Sequence, residues 1–102
     1  MRVDAAKVND ATEAIYKAVN EFTIGCANPE AKRIIEPEIA ILRSMAHHSY
    51  MAEKVESLAA SIDILFSARK HERYGGAAAV KSHVLEDLSR IESWAGPATE
   101  AE

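Results

Sequence analysis

The feature that most constrains this chain is a run from Glu38 to Arg73 that contains neither Gly nor Pro and repeats apolar residues every seven positions. A seven-residue repeat is typical of helices that pack along a seam. One row consists of Ile41, His48, Val55 and Ile62, and the row beside it of Ser44, Met51, Leu58 and Leu65. As one helix the run would be roughly 50 Å long, about twice the diameter of a compact chain of this size. We therefore expect one long central helix.

The composition favours an all-α fold. The chain is rich in Ala, Leu, Ile, Glu and Lys, and each Gly or Pro lies near a boundary rather than inside a periodic segment. This usage is typical of helices. A chain of 102 residues is expected to form one domain that buries only about 60 to 70 % of its unfolded surface. A partner subunit would cover apolar surface that the monomer leaves exposed.

Capping and breaking residues set the bounds of the first and last helices. Asp4 can accept hydrogen bonds from the first free amides of a helix, which we expect to end near Ile24, before Gly25. The Gly75-Gly76 pair is the strongest break in the chain, and it separates the long helix from a last helix over 77–95. Together with the long helix, these make three main helices.

A short helix is expected between the first helix and the long one. Asn28 can cap its amides and Pro29 tolerates its first position. Pro37 then either kinks a continuous helix or begins a new one, and the sequence leaves both open. The expected domain covers residues 1–96, and the acidic segment 97–102 is expected to be disordered because it has nothing to bury.

Two apolar faces run along the predicted long helix. The broader face supplies the candidate interface residues, which are Ile41, His48, Met51, Val55, Leu58, Ile62, Leu65 and Phe66. A sparser face on the opposite side consists of Ile39, Leu42, Ala46, Ala60 and Ile64. Either the first and last helices of the same chain cover both faces, or one face contacts a partner chain. The length of the helix favours the second arrangement, so we expect a homodimer or higher oligomer.

The histidines raise the question of a metal or haem site. His47 and His48 lie three or four positions before Met51, and imidazole and thioether groups both bind copper and haem iron. Two ligands are too few, and further donors would have to come from His83, Cys26 or a second subunit. The interpretation we favour is that His48 is a polar core position that fixes register, while His47 is solvated. No cofactor is expected.

A basic cluster at the end of the long helix suggests a second kind of partner. Arg69, Lys70 and Arg73 precede the double glycine, and Lys81 lies in the helix that follows, as in a helix-turn-helix. That last helix lacks the Arg, Asn and Gln side chains that usually contact base edges. The net charge of −4, from 12 basic and 16 acidic residues, also disfavours a general polyanion-binding surface.

Catalysis is not expected, and neither is a membrane segment. The chain has no phosphate-binding Gly-rich loop, no His-Glu-x-x-His pair and no nucleophile elbow. Cys26 is the only cysteine, so an intrachain disulfide is excluded, and an ordinary small residue is a simpler interpretation than a reactive thiol. No window reaches 18 apolar residues, and the amino-terminal segment lacks the apolar core of a signal peptide. We expect a cytoplasmic protein.

These patterns predict a non-catalytic helical module for protein–protein interaction, such as an oligomeric adaptor, a chaperone or a regulator-binding protein. Binding would be of the helix-in-groove kind, with anchors at Leu58, Ile62, Leu65 and Phe66. One alternative is a small regulator that binds nucleic acid through the basic end of the long helix. A weaker alternative is a His/Met metal or haem sensor.

Overall fold

Four α-helices account for most of the chain. The computed structural model describes residues 4–46 and 48–95. In order, these contain α1 (Ala5–Glu21), α2 (Pro29–Met45), α3 (Ser49–Leu65), a 3-10 helix η1 (Lys70–Tyr74) and α4 (Ala77–Ala95). The predicted all-α class is confirmed, since the described residues form no strand. The tail predicted over 97–102 lies outside these residues.

The helix starts follow the capping residues. Asp4 accepts a hydrogen bond from the Lys7 amide at 3.2 Å, and Asn28 accepts one from the Ala31 amide at 3.2 Å. These bonds satisfy amides that have no partner inside the helix. The first helix ends at Glu21, three residues earlier than expected. Pro37 lies inside α2 on its exposed side, so it neither ends nor begins a helix, and the expected short helix is a full 17-residue element.

The single long helix predicted over 38–73 is wrong. The chain leaves α2 after Met45 and enters α3 at Ser49, where the His48 Nδ1 accepts a hydrogen bond from the Tyr50 amide at 3.1 Å. His48 is thus an N-cap rather than a core position. At its other end α3 stops at Leu65, and a separate 3-10 turn precedes Gly75. The Cα radius of gyration, 13.4 Å, is that of a compact bundle of about 100 residues.

The apolar pattern changes phase at this turn. In α3 the buried residues continue the heptad rows, through Met51, Val55, Leu58, Ile62 and Leu65. In α2 the row member Ile41 is 37 % exposed, whereas Ile39 and Leu42, from the face predicted to lie opposite, are buried. Folding back brings both sets into one core, because a straight rod would have placed them on different sides. The second apolar face was therefore a sign of two helices.

The helices pack as a closed ring in which α1 contacts α2 and α4, and α3 contacts α2 and α4. Short connections between successive helices are typical of antiparallel neighbours. Each helix contributes one stripe to a common core, with the largest fully buried side chains being Val8, Ile15, Val19, Ile35, Leu42, Met51, Val55, Leu58, Leu65, Phe66, Val84 and Ile91. A bidentate pair joins the exposed rims of α2 and α3, where Arg43 donates to both oxygens of Glu56 at 2.8 and 2.9 Å.

One end of the bundle is held by backbone hydrogen bonds between distant segments. The Gly25 amide donates to the Leu65 carbonyl at 2.9 Å, and the Asn28 amide donates to the Phe66 carbonyl at 3.3 Å. The α1–α2 connection therefore caps the last carbonyls of α3, which have no partner inside their own helix. This end carries η1 and the start of α4.

Candidate interaction groove between α3 and α4

The outer side of the α3–α4 pair contains a recess of about 560 Å³. One face of α3 forms one wall, and the first turns of α4 form the other. We call it the α3/α4 groove, and its lining residues are Ser57, Ala60, Ser61, Ile64, Tyr74, Ala79, Val80, Ser82, His83 and Glu86. The recess is open on one side, in the way that binding grooves between packed helices are.

Small side chains make the groove deep enough to admit another side chain. Ala60 on α3 and Ala79 on α4 both line it, and Ile64 and Val80 pack against the core below. Tyr74 stands at one end with 59 % of its surface exposed, the largest exposed fraction among the large apolar side chains of the described residues. An exposed aromatic ring beside an apolar recess is the usual composition of a contact surface.

The end of the groove at Tyr74 is basic. A second recess, of about 540 Å³, shares Ile64 and Tyr74 with the groove and is also lined by Arg69, Lys70, Glu72 and Arg73. Glu72 pairs with Arg69 at 3.5 Å, whereas Arg73 makes no ion pair or hydrogen bond within residues 4–46 and 48–95. Positive charge at this end is therefore available to a ligand.

Lys70 belongs to a separate network that fixes η1 to the bundle. The carboxylate of Asp63 on α3 accepts from Lys32 of α2 at 2.8 Å and from Lys70 at 3.0 Å. These two hydrogen bonds hold the pKa of Asp63 below its ordinary value, because an ammonium donor favours the ionised form. The bond from Lys32 has the larger effect. Three elements thus meet at one carboxylate next to the basic end.

The opposite end of the groove presents acceptors. Ser57 donates its hydroxyl hydrogen to Oδ2 of Asp87 at 2.8 Å, and Asp87 is buried beneath it. Since a hydroxyl has only one hydrogen, only the lone pairs of Ser57 remain for a ligand. Glu86 lies at the same end and is bridged by Arg90 at 3.4 Å. This end therefore favours hydrogen-bond donors.

The structure places most of the predicted interface residues inside the chain. Met51, Val55, Leu58, Ile62, Leu65 and Phe66 are buried, whereas Ile41 and His48 are exposed. The helices that cover them belong to the same chain. This is the arrangement that the length of the predicted long helix had made the less favoured of the two. These six side chains are not available for contact on the surface of this fold. Oligomerisation itself stays a prediction, and it would have to use other residues.

The candidate metal ligands are not brought together. Met51 is fully buried, while His48 is exposed, uses Nδ1 as an N-cap and lies with its ring 5.6 Å from that of Trp94. His47 falls outside the described residues. Across the part of the chain that is described, no group of three or more His, Cys, Asp or Glu side chains could hold a metal ion.

The residues of the nucleic-acid alternative are partly neutralised. Arg69 and Lys70 pair with Glu72 and Asp63, and Lys81 is only half-exposed on α4. Arg73 is the member that keeps an unpaired charge among the described residues. Nucleic-acid binding stays a prediction, with little continuous positive surface to support it.

Sequence reasoning missed most of the groove. It singled out Ala60 and Ile64 as part of the sparser face, but it assigned no role to Ser57 or Tyr74. The available signal was the run Ala77-Ala78-Ala79, because consecutive small residues at a helix start allow close approach. The pairing of Ser57 with Asp87 joins positions 30 apart and has no local signature.

The fold defines the class of this protein as a four-helix bundle with a groove on the outer side of the α3–α4 pair. No helix among the described residues combines the length and apolar character needed to cross a bilayer. No family model matches the chain, and no curated protein or solved structure shows significant similarity to it.

Proposed function

We propose that this protein is a non-catalytic protein–protein interaction module whose binding surface is the α3/α4 groove. The occupant is an amphipathic helix of a partner protein, with its apolar side chains over Ala60, Ile64 and Ala79. The observation that carries the proposal is the recess itself, apolar at its floor and flanked by the exposed ring of Tyr74. It replaces the seam of the predicted long helix as the contact surface.

Helix-in-groove recognition suits these dimensions. The α3 wall runs from Ser57 to Ile64, which are seven positions or roughly 10 Å apart, the length of two turns of a docked helix. Alanines on both walls let a helix approach closely, and Tyr74 can cover one side of the bound segment. Tyrosine is among the residue types that commonly supply much of the binding free energy once a partner covers them.

The ligand source is a protein segment rather than nucleic acid, because the groove combines an apolar floor with charge of both signs. A phosphate backbone requires an extended positive surface. Here Glu86 and the buried Asp87 lie at the end opposite Arg73. A helix with apolar and charged positions satisfies both ends of the recess.

The test is a selection of amphipathic helical peptides from a displayed library, using the folded protein as bait. The selected peptides are then measured against Ala79→Arg, which places a long cation in the groove. The matched control is Ala78→Arg, on the same helix turn and also exposed but outside the lining residues. We expect Kd to rise at least about tenfold for Ala79→Arg, equivalent to about 1.4 kcal/mol, and to stay unchanged for Ala78→Arg.

Two results would contradict the proposal. Either the selection gives no peptide that binds in solution, or the selected peptides bind Ala79→Arg as tightly as the unmodified protein. Circular dichroism of both arginine variants checks that the bundle is intact. Retardation of nucleic acid at low salt, lost in Arg73→Glu, would instead support the nucleic-acid alternative.

A further inference from the structure

The charges at the two ends of the α3/α4 groove are opposite, and each end demands a different kind of side chain from the occupant. At the Tyr74 end, the guanidinium of Arg73 has only donors and lacks an acceptor among the described residues. At the Ser57 end, the acceptors are the lone pairs of Ser57 and the carboxylate of Glu86, which also pairs with the exposed Arg90 at 3.4 Å. One end requires acceptors and the other requires donors.

Resting on the function proposed above, we infer that the groove selects a helix with a carboxylate and an ammonium or guanidinium seven positions apart on its docked face. The carboxylate lies over Arg73, and the cation lies over Ser57 and Glu86. The spacing matches the α3 wall, where Ser57 is seven positions from Ile64, a residue that lines both the groove and the basic recess. An apolar stripe between the two charges covers Ala60 and Ala79.

The buried pair beneath the groove fixes the polarity of the Ser57 end. Asp87 has 1 % of its surface exposed and accepts the Ser57 hydroxyl hydrogen. As long as that bond is made, Ser57 cannot donate to a ligand, so a partner carboxylate over Ser57 would face the lone pairs of its hydroxyl and the buried Asp87. A partner cation would gain an acceptor from Ser57 and would share the carboxylate of Glu86 with Arg90. The buried carboxylate therefore determines which end of the ligand is tolerated.

Charges at a rim contribute more to selectivity than to affinity, since they penalise the wrong partner by like-charge contact. A helix with two carboxylates would be repelled at Glu86, and one with two cations would be repelled at Arg73. The groove is therefore expected to rank ligands by their charge pattern when their apolar stripe is the same.

Three synthetic helical peptides test this inference. They share the apolar stripe of a selected peptide, and their two charged positions carry Glu and Lys, Glu and Glu, or Lys and Lys. We expect the mixed peptide to bind the unmodified protein about tenfold more tightly than either other peptide at low salt, with the difference shrinking as salt is added. Arg73→Glu should shift the preference to the Lys–Lys peptide, and Glu86→Lys to the Glu–Glu peptide.

The control is Arg33→Glu, which makes the same charge change on an exposed position of α2, a helix that does not pack against α4. It should leave the ranking unchanged. If all three peptides bind equally while Ala79→Arg still abolishes binding, the charge inference is wrong and the proposed function stands. If no peptide binds the unmodified protein, both are wrong.

Discussion

The Nε2 atom of His71 lies 3.1 Å from the carbonyl oxygen of Gly25. A carbonyl oxygen only accepts, so Nε2 carries the hydrogen and His71 donates. The contact joins the α1–α2 connection to η1 across 46 positions of sequence. Gly25 itself has φ of +75°, and a Cβ placed on it would lie 3.0 Å from the Cβ of Ala77 at the start of α4. Glycine is therefore required here by both conformation and space.

Gly25→Ala should destabilise the bundle by about 1–3 kcal/mol, because a left-handed backbone and a close Cβ contact add together. Ala77→Gly in the same chain removes the contact and should restore part of the loss. Urea unfolding of the two single variants and the double variant gives the coupling between the positions. Strictly additive effects would show that the two residues do not touch in solution.

The buried hydroxyl–carboxylate pair gives a second prediction. Ser57→Ala removes the donor to Asp87, and leaving a buried carboxylate unsatisfied should lower the free energy of unfolding by about 1–3 kcal/mol. Ser82→Ala is the control, since Ser82 also lines the groove but is exposed and bonds no buried group among the described residues. Equal unfolding midpoints for the two variants in denaturant would contradict the importance of the pair.

A third prediction compares two members of the heptad rows, one in α3 and one in α2. Leu58→Ala should cost about 2–5 kcal/mol, because Leu58 is fully buried and its truncation leaves a cavity. Ile41→Ala should cost far less, since Ile41 is 37 % exposed. The measurement is urea unfolding at several protein concentrations. Because Leu58 is enclosed by its own chain, Leu58→Ala should lower the free energy of unfolding by the same amount at every protein concentration. A decrease that varies with concentration would indicate that Leu58 lies at a subunit interface.

Acid should weaken the attachment of η1 through Asp63. Its pKa is lowered by hydrogen bonds from Lys32 and Lys70, so on acidification the unfolded chain takes up this proton before the folded chain does. The stabilisation is complete above the ordinary aspartate pKa of about 4 and is lost as the pH falls through the lower folded value.

Asp63→Asn should therefore reduce stability at pH 7 and flatten its decline below about pH 4, where the unmodified chain loses this contribution. The side chain is half-exposed, so the effect at pH 7 should be at most about 1 kcal/mol and smaller in high salt. Thermal unfolding from pH 7 to pH 2 measures both changes. A variant with the same pH slope as the unmodified protein would exclude Asp63 as the source.

Local patterns were sufficient for most helix boundaries. Helices begin after the N-caps Asp4 and Asn28, and the 3-10 helix ends at Gly75, as the local capping and turn preferences of these residues predict. The break between α2 and α3 was not predictable from Gly or Pro, because the sequence around it contains neither. It results from tertiary packing, since Leu42 and Met51 can both reach one core only if the chain reverses.

The groove was less accessible to sequence reasoning than the core. A heptad row identifies which residues are apolar, but it does not say whether another part of the same chain covers them. Leu58 and Phe66 were assigned to a partner on that basis, and the fold buries both. The groove depends on how α4 lies against α3, which brings Ala60 and Ala79 to one recess and Asp87 beneath Ser57. Such pairings arise only once the bundle has closed.

The backbone bonds from Gly25 and Asn28 to the end of α3 should make that end of the molecule the more rigid one. Amides near the η1 end should exchange with deuterium more slowly than those around Tyr50, because opening them requires several segments to separate at once. The α3/α4 groove reaches this more rigid end at Ile64 and Tyr74. A ligand arriving there finds its site already shaped, so little of its binding free energy is spent on ordering the receptor.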